Sequence, residues 1–232
     1  MTHLPLAGAA LAPVLPDVHV PDLSQSIADA ADLLLPQLAR GARIDAGALR
    51  PAMEAAFGAS DASADWDWKA AYDACEVATV LFLRKFGPAI RARAASPAAM
   101  LAMLEKIAAL LPTHTRRTME SEAFQQFSTP IPLGLVAATA AAITARDRVL
   151  EPSAGTGLLA VLAELAGGSL WLNELGPSRA DRLDRLFPSV AVTRFDAAQI
   201  HDHLDAGLVP SVVLMNPPFS AMANVSGRMA DT

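Results

Sequence analysis

Apolar and polar positions follow a helical pattern over the first half of this chain, and their rhythm changes near residue 148. The first half predicts amphipathic helices at about residues 26–39, 46–57, 66–86 and 97–111. The segment 58–65 between them is rich in small and acidic residues, which predicts a loop. We therefore expect a helical N-terminal region over residues 21–118.

Individual residues mark the ends of these predicted helices. Ser26 followed by Asp29 resembles a capping box at the start of the first helix. Gly87-Pro88 is expected to end the third helix, and Ser96-Pro97 supplies a cap and a first-turn proline for the fourth.

Beyond residue 148, short apolar runs alternate with helical stretches. Strands are predicted at 149–150, 169–173, 190–195 and 212–215, and helices at 158–166, 178–186 and 198–206. Strands that alternate with helices at this period predict parallel pairing with helical crossovers. The expected fold class is α/β and Rossmann-like, preceded by the helical region.

Composition fits a globular protein, since 53% of the residues are hydrophobic and only 18% are charged. The single cysteine, Cys75, excludes an internal disulfide and is expected to be a small buried hydrophobe. Trp66 and Trp68 are interpreted as packing anchors. The histidines lack ligand spacing, so we predict no metal site.

Charge and hydropathy limit the partners. The formal net charge of −6 is the wrong sign for a free-standing nucleic-acid binder, because phosphate contacts supply most non-specific affinity. Residues 1–20 contain three prolines and no preceding basic cluster, so we expect a flexible N-terminus and no signal peptide. The run 131–143 is the nearest approach to a membrane span and is too short. We expect a cytoplasmic protein without a membrane partner.

The first candidate site is the loop after the first predicted strand, Glu151-Pro152-Ser153-Ala154-Gly155-Thr156-Gly157. Gly155 and Gly157 allow tight turns and close approach of a ligand. Glu151 would repel a pyrophosphate and suits a cationic amino-acid end, such as the methionine part of S-adenosylmethionine. The main structural alternative is a plain tight turn, and a P-loop is disfavoured because no lysine follows the second glycine.

Two further acids follow the next two predicted strands. Glu174 is placed to accept hydrogen bonds from both hydroxyls of a ribose, and Asp196 is placed to accept one from an adenine amino group. With Glu151, they would lie at the carboxyl ends of adjacent strands, where open α/β sheets bind ligands.

The fourth predicted strand is followed by Asn216-Pro217-Pro218-Phe219. Two prolines remove two amide donors and leave the Asn216 side-chain oxygen and the Pro217 carbonyl as acceptors. Two acceptors can hold both hydrogens of an exocyclic amine and direct its lone pair, and Phe219 offers a face for stacking of a planar base. The alternative is an ordinary Asn-Pro turn.

With these motifs in this order, the chain resembles the gamma-type, adenine-N6 class of amino-methyltransferases. In that family a phenylalanine-x-threonine-proline element precedes the glycine loop, and here it corresponds to Phe124-Gln125-Gln126-Phe127-Ser128-Thr129-Pro130. The resemblance runs from Phe124 to the end of the chain. It implies an S-adenosylmethionine-dependent methyltransferase domain over residues 119–232.

The resemblance also implies roles for the motifs. The segment with Thr129 and Pro130 would close over the methionine end of the cofactor, and the loop Glu151 to Gly157 would hold its amino acid. Glu174 would bind the ribose and Asp196 the adenine, while Asn216 to Phe219 would receive a target base flipped out of DNA.

The chain departs from this family because only four strands are predicted, whereas a complete domain has more. We therefore expect a partial methyltransferase domain, a fragment of a longer protein, with little or no turnover alone. DNA would be bound through regions missing from this chain. The helical region also resembles the start of bacterial strawberry-notch-like methylase–helicase proteins, which implies a possible C-terminal helicase-like region.

Three other functions remain open on the sequence. The same tetrapeptide serves methyltransferases of an RNA base or a protein glutamine. Gly155-x-Gly157-x-x-Ala160 also matches a nicotinamide-dinucleotide fingerprint, which leaves the Asn216 motif unexplained. A non-catalytic interaction module is the third alternative.

Overall fold

A computed structural model describes residues 23–112, 129–204, 207 and 209–217, and this part of the chain forms α-helices and one parallel sheet. The helices are α1 Leu23–Ala39, α2 Ala46–Phe57, α3 Trp68–Arg93, α4 Pro97–Ala108, α5 Ile131–Ala140, α6 Leu158–Ala166 and α7 Pro177–Leu186. The strands are β1 Arg148–Glu151, β2 Ser169–Asn173, β3 Val192–Thr193 and β4 Val212–Val213. Two short 3₁₀ helices cover Asp61–Ser63 and Ala197–Asp202.

The four strands are all parallel and lie in the order β3-β2-β1-β4. This is the order of the first four strands of a doubly wound α/β sheet. The chain winds outward from β1 through β2 to β3 and then returns to place β4 on the other side of β1. The predicted α/β class with parallel pairing is confirmed, and the gap between β1 and β4 is the topological switch point where such sheets bind ligands.

Helix α3 passes through the position where the sequence predicted its end. It continues through Gly87-Pro88 to Arg93, so the predicted stop was wrong. A Cβ atom at Gly87 would lie 2.6 Å from Leu165 Cδ1. The glycine therefore permits close contact between α3 and α6 rather than ending the helix.

Other predicted ends also differ. Ser26 is buried inside α1 and Asp29 accepts a hydrogen bond from Gln25 Nε2 at 2.7 Å, so the capping-box interpretation was wrong. Helix α4 ends at Ala108 rather than near 111. The helix predicted at 198–206 is the 3₁₀ helix Ala197–Asp202, and residues 205–206 lie outside the described part.

Helix α5 was not predicted and is formed by the apolar run that begins at Ile131. It packs on α6, and a Cβ atom at Gly134 would lie 2.6 Å from Leu162 Cδ1. In the described ranges, no helix is both long enough and apolar enough to cross a membrane.

The described helices of the N-terminal region share one apolar core with the sheet region. Helix α3 contacts α1 on one side and α6 on the other, and α1 also contacts α7. Cys75 is buried in α3 as predicted. Burial, and to a smaller extent the negative charge of Glu76, raises the pKa of its thiol to about 12. Trp66 is buried, donates to the Ala59 carbonyl at 2.9 Å and packs edge-on against Trp68, as expected for packing anchors.

Candidate functional site

A small cleft lies at the carboxyl ends of β1 and β4, at the switch point of the sheet. It collects residues from the loop after β1, the start of α6, the turn after β4, the segment just before α5 and the first turn of α7. They are Thr129, Glu151, Ser153, Ala154, Gly155, Thr156, Leu158, Leu159, Arg179 and Asn216. Six of these ten residues were predicted from the sequence as site residues, namely Thr129, Glu151, Ser153, Ala154, Gly155 and Asn216.

The side chain of Asn216 faces this cleft. Its Nδ2 donates a hydrogen bond to Thr129 Oγ1 at 3.0 Å, across 87 residues of sequence. No described residue donates to its Oδ1, so the side-chain oxygen remains an acceptor. The family resemblance gave Thr129 a role in binding the cofactor, and in the structure this residue orients the Asn216 amide. Pro217 is half-buried, and Pro218, Phe219 and residues 124–128 lie outside the described part.

The two glycines of the loop have different neighbours. Gly155 has φ +58°, lines the cleft and donates its N–H to Glu174 Oε2 at 2.9 Å. Gly157 has φ +85°, and a Cβ atom there would lie 2.6 Å from Phe187 Cε2 in the core. Gly157 is therefore required by packing and does not line the cleft, and its ligand role stays a prediction.

Glu151 is buried at the end of β1 and lines the cleft. Its Oε2 has no hydrogen-bond partner among the described residues. Burial, and then the neighbouring Glu174, raise the pKa of this carboxyl well above its ordinary value. A buried carboxyl with a free oxygen is a suitable partner for an approaching cationic group.

The other predicted ligand residues do not line the cleft. The Glu174 carboxylate accepts hydrogen bonds from the Gly155 N–H at 2.9 Å and the Gly176 N–H at 2.8 Å, so it braces the loop. Asp196 is exposed and caps the second 3₁₀ helix by accepting from Ala198 N–H at 3.0 Å. Pro130 is exposed and precedes α5.

Asn173, at the end of β2, was not predicted as a site residue and joins the loops around the cleft. Its fully buried amide donates to the Pro152 carbonyl at 2.9 Å and to the Phe195 carbonyl at 2.8 Å. Its oxygen accepts from Phe195 N–H and Thr193 Oγ1, each at 2.8 Å. Asn173 therefore fixes the loops after β1 and β3 to each other.

Helix α3 also reaches the loop, which the sequence did not reveal. Thr156 Oγ1 donates to Glu76 Oε2 at 2.7 Å in a buried contact. Asp73, one turn earlier, accepts from Arg182 Nη2 of α7 at 2.9 Å. The available signal was two acids three residues apart in an otherwise apolar stretch, which places both on one helix face.

The enclosed volume of the cleft is about 30 Å³. That is about the share of one water molecule, whereas small-molecule sites are usually about 300–1,000 Å³. Larger cavities lie elsewhere: one of about 610 Å³ between α3 and α6, one of about 400 Å³ among α3, α4, α5 and α6, and one of about 340 Å³ beside α7. The cleft is the candidate site because acceptors, a buried acid and a cation converge there. The described residues contain no cluster of three or more metal-ligating side chains.

Comparisons of this chain with family models, with curated proteins and with solved structures found no match.

Proposed function

We propose that this chain binds S-adenosylmethionine in the cleft and uses Asn216 to orient an exocyclic amine for methylation, with adenine N6 in DNA as the substrate. The observation that carries the proposal is that Asn216 lines the same cleft as Glu151 and Gly155. The turn after β4 and the loop after β1 are 65 residues apart in sequence (216 − 151). The parallel pairing of β4 with β1 brings them together.

The polar groups that line the cleft fit the amino-acid end of this cofactor. Glu151 presents a carboxyl oxygen without a partner among the described residues, which suits an ammonium group. Gly155 gives the ligand access to backbone, since nothing but Arg179 Nη1 at 3.9 Å approaches the position of a Cβ atom there. The enclosed volume of about 30 Å³ is too small for a nucleoside, so binding requires the rim of the cleft to rearrange.

When bound, S-adenosylmethionine supplies an electrophilic methyl group on a sulfonium. The chain contributes orientation of the amine. Asn216 Oδ1 accepts one amine hydrogen and the Pro217 carbonyl accepts the other, while Thr129 holds the amide so that its oxygen stays available. The electron pair of the broken methyl–sulfur bond would stay on the sulfur. No strong base is required, because the substrate nitrogen would become acidic as it gained the methyl group and its surplus proton would pass to water. Positioning is then the main catalytic contribution, and a displacement of about 1 Å could cost about 100-fold in rate.

The substrate assignment rests on the resemblance of the Asn-Pro-Pro-Phe tetrapeptide and of the segment ending at Pro130 to adenine-N6 methyltransferases. The net charge of −6 adds no support for DNA binding. RNA bases and protein glutamine are therefore included as substrates in the test.

Calorimetry tests the cofactor. We expect the chain to bind S-adenosylmethionine and not NAD, because a nicotinamide dinucleotide leaves the Asn216 acceptor in the cleft without a role. Binding of NAD alone would establish the nicotinamide alternative, and a stable fold that binds neither would favour an interaction module.

Methyl transfer tests the role of Asn216. In the complete gene product, we expect labelled methyl groups to pass to DNA, and Asn216→Ala to abolish transfer while cofactor affinity stays within about twofold. Loss of cofactor binding together with transfer would mean that Asn216 has only a structural role. Transfer to RNA or protein in place of DNA would reassign the substrate.

A further inference from the structure

Arg179 is a partly buried cation that the sequence did not mark as a site residue. It lies in the first turn of α7, and its side chain is 13% exposed. It lines the cleft with Glu151 and Asn216. Its Nη1 lies 3.9 Å from the position of a Cβ atom on Gly155, so the guanidinium reaches the glycine loop.

The internal partner of Arg179 is shared and distant. Its Nη2 lies 3.9 Å from Asp73 Oδ1, whereas Arg182 Nη2 lies 2.9 Å from Asp73 Oδ2. Lys69 approaches the same carboxylate at 3.8 Å. Asp73 thus faces three cations and is engaged most closely by Arg182, so its contact with Arg179 is longer than a hydrogen bond. Glu76 and Glu174 add negative charge near Arg182.

Unpartnered buried atoms concentrate at this point of the fold. Among the described residues, the buried side-chain atoms without a hydrogen-bond partner are Glu151 Oε2, Arg179 Nε and Arg182 Nε. The first two belong to side chains of opposite charge that line the same cleft. An acid and a guanidinium in one cleft match a zwitterion, which carries an ammonium and a carboxylate on one carbon atom.

We propose that Arg179 binds the carboxylate of the cofactor's amino-acid end, opposite to the ammonium held by Glu151. A guanidinium suits this role because its fork can donate two parallel hydrogen bonds to a carboxylate. This inference rests on the proposed function, since it assumes that S-adenosylmethionine is the ligand.

The test compares ligands as well as variants. Calorimetry on the unmodified chain measures S-adenosylmethionine and its decarboxylated analogue, which keeps the ammonium and lacks the carboxylate. We expect the analogue to bind more weakly by about 10–100-fold, the range for a charge-assisted hydrogen bond. Equal affinity for the two ligands would overturn the role of Arg179 while leaving the proposed cofactor intact.

Variants then assign the effect to one side chain. Arg179→Gln should lower affinity for S-adenosylmethionine by the same factor and leave affinity for the decarboxylated analogue unchanged. Arg179→Lys should recover part of the loss, and Arg185→Gln, on the exposed side of α7, is the matched control with unchanged binding of both ligands. Unchanged S-adenosylmethionine binding in Arg179→Gln, or equal loss of both ligands, would contradict the proposal.

A different result would point to the proposed function itself. If the unmodified, folded chain binds neither S-adenosylmethionine nor the analogue, the cofactor assignment fails and the carboxylate role fails with it. The ratio of the two affinities on the unmodified chain requires no variant, so it decides the question even if Arg179→Gln does not fold.

Discussion

Glu151 is buried in the cleft with its Oε2 unpartnered among the described residues, and its pKa is raised by burial and by Glu174. Such a group holds its proton more tightly in the folded than in the unfolded chain. Its favourable contribution is complete below the unfolded pKa and is lost as the pH rises through the folded pKa. The residue proposed to bind a cation is therefore one that destabilises the fold at higher pH.

Replacement of Glu151 tests this at the residue scale. We expect Glu151→Gln, which resembles the protonated carboxyl, to be about as stable as the unmodified chain near pH 4 and more stable at pH 8. The measurement is the free energy of unfolding by denaturant at both pH values. Glu105→Gln, an exposed acid on α4, is the control and should change stability by less than about 0.5 kcal/mol at either pH. A pH-independent difference for Glu151→Gln would contradict a raised pKa.

At the scale of elements, the join between the glycine loop and α6 is determined by packing as well as by turn geometry. Gly157 precedes α6 with φ +85°, and Phe187, at the end of α7, occupies the space that a Cβ atom would need. Phe187 is fully buried, so it cannot swing into solvent without opening the core. The glycine thus sets how closely α6 approaches α7.

Two alanine substitutions separate the cost of packing from the cost of the left-handed backbone conformation. Gly58, which follows α2, has φ +66°, and no atom lies within 4 Å of the position that a Cβ atom would take there. Gly58→Ala therefore reports the cost of the left-handed conformation alone. We expect Gly157→Ala to lower the free energy of unfolding by about 1–3 kcal/mol more than Gly58→Ala, the range for overpacking. Equal losses in the two variants would mean that Phe187 yields without cost.

For the whole molecule, α3 joins the N-terminal helices to the sheet region. Arg84 donates to both carboxylate oxygens of Glu164 on α6, at 2.9 and 3.0 Å, and also to the Leu186 carbonyl at the end of α7. Its guanidinium lies 5.1 Å from the centre of the Phe187 ring. One side chain of α3 therefore contacts both helices beside the sheet, within a continuous apolar core.

This arrangement predicts one cooperative unfolding transition. The tryptophans allow a direct check, since Trp66 and Trp68 report on the start of α3 and Trp171 reports on β2. One variant keeps Trp66 and Trp68 and lacks Trp171, and a second keeps only Trp171. The fluorescence transitions of the two variants in denaturant should coincide. Arg84→Met should lower the free energy of unfolding by about 1–3 kcal/mol. The denaturant midpoint should fall by the same amount for both reporters. Separate transitions would show that the helical region folds independently.

Much of the architecture was predictable because it depends on local pattern. Alternating strands and helices beyond residue 148 indicated a parallel α/β sheet, and the carboxyl ends of β1 and β4 were expected to carry Glu151 and Asn216. Boundaries were less predictable where a residue has a tertiary role. Gly87-Pro88 carries a helix-ending signal, yet its glycine serves contact with α6.

The contacts that shape the cleft required the tertiary structure. Arg179 and Asn173 carry no local motif, and Glu76 is marked only by its spacing from Asp73. The partners of all three are distant in the sequence. Glu174 directly follows β2 as expected, whereas β3 ends at Thr193, three residues before Asp196. The carboxylates of both acids are engaged by nearby backbone amides.

The sequence by itself determined most of the segments that become helices and strands, α5 excepted, because side-chain periodicity and backbone preference act over a few residues. It also determined the acceptor chemistry of Asn216 and Pro217, because proline removes an amide donor in any fold. Only the tertiary structure decided which charges are compensated and which remain open, because burial and pairing depend on groups from separate elements. Glu151 and Arg179 became a candidate pair when folding placed them in one cleft and left an atom of each without a partner among the described residues.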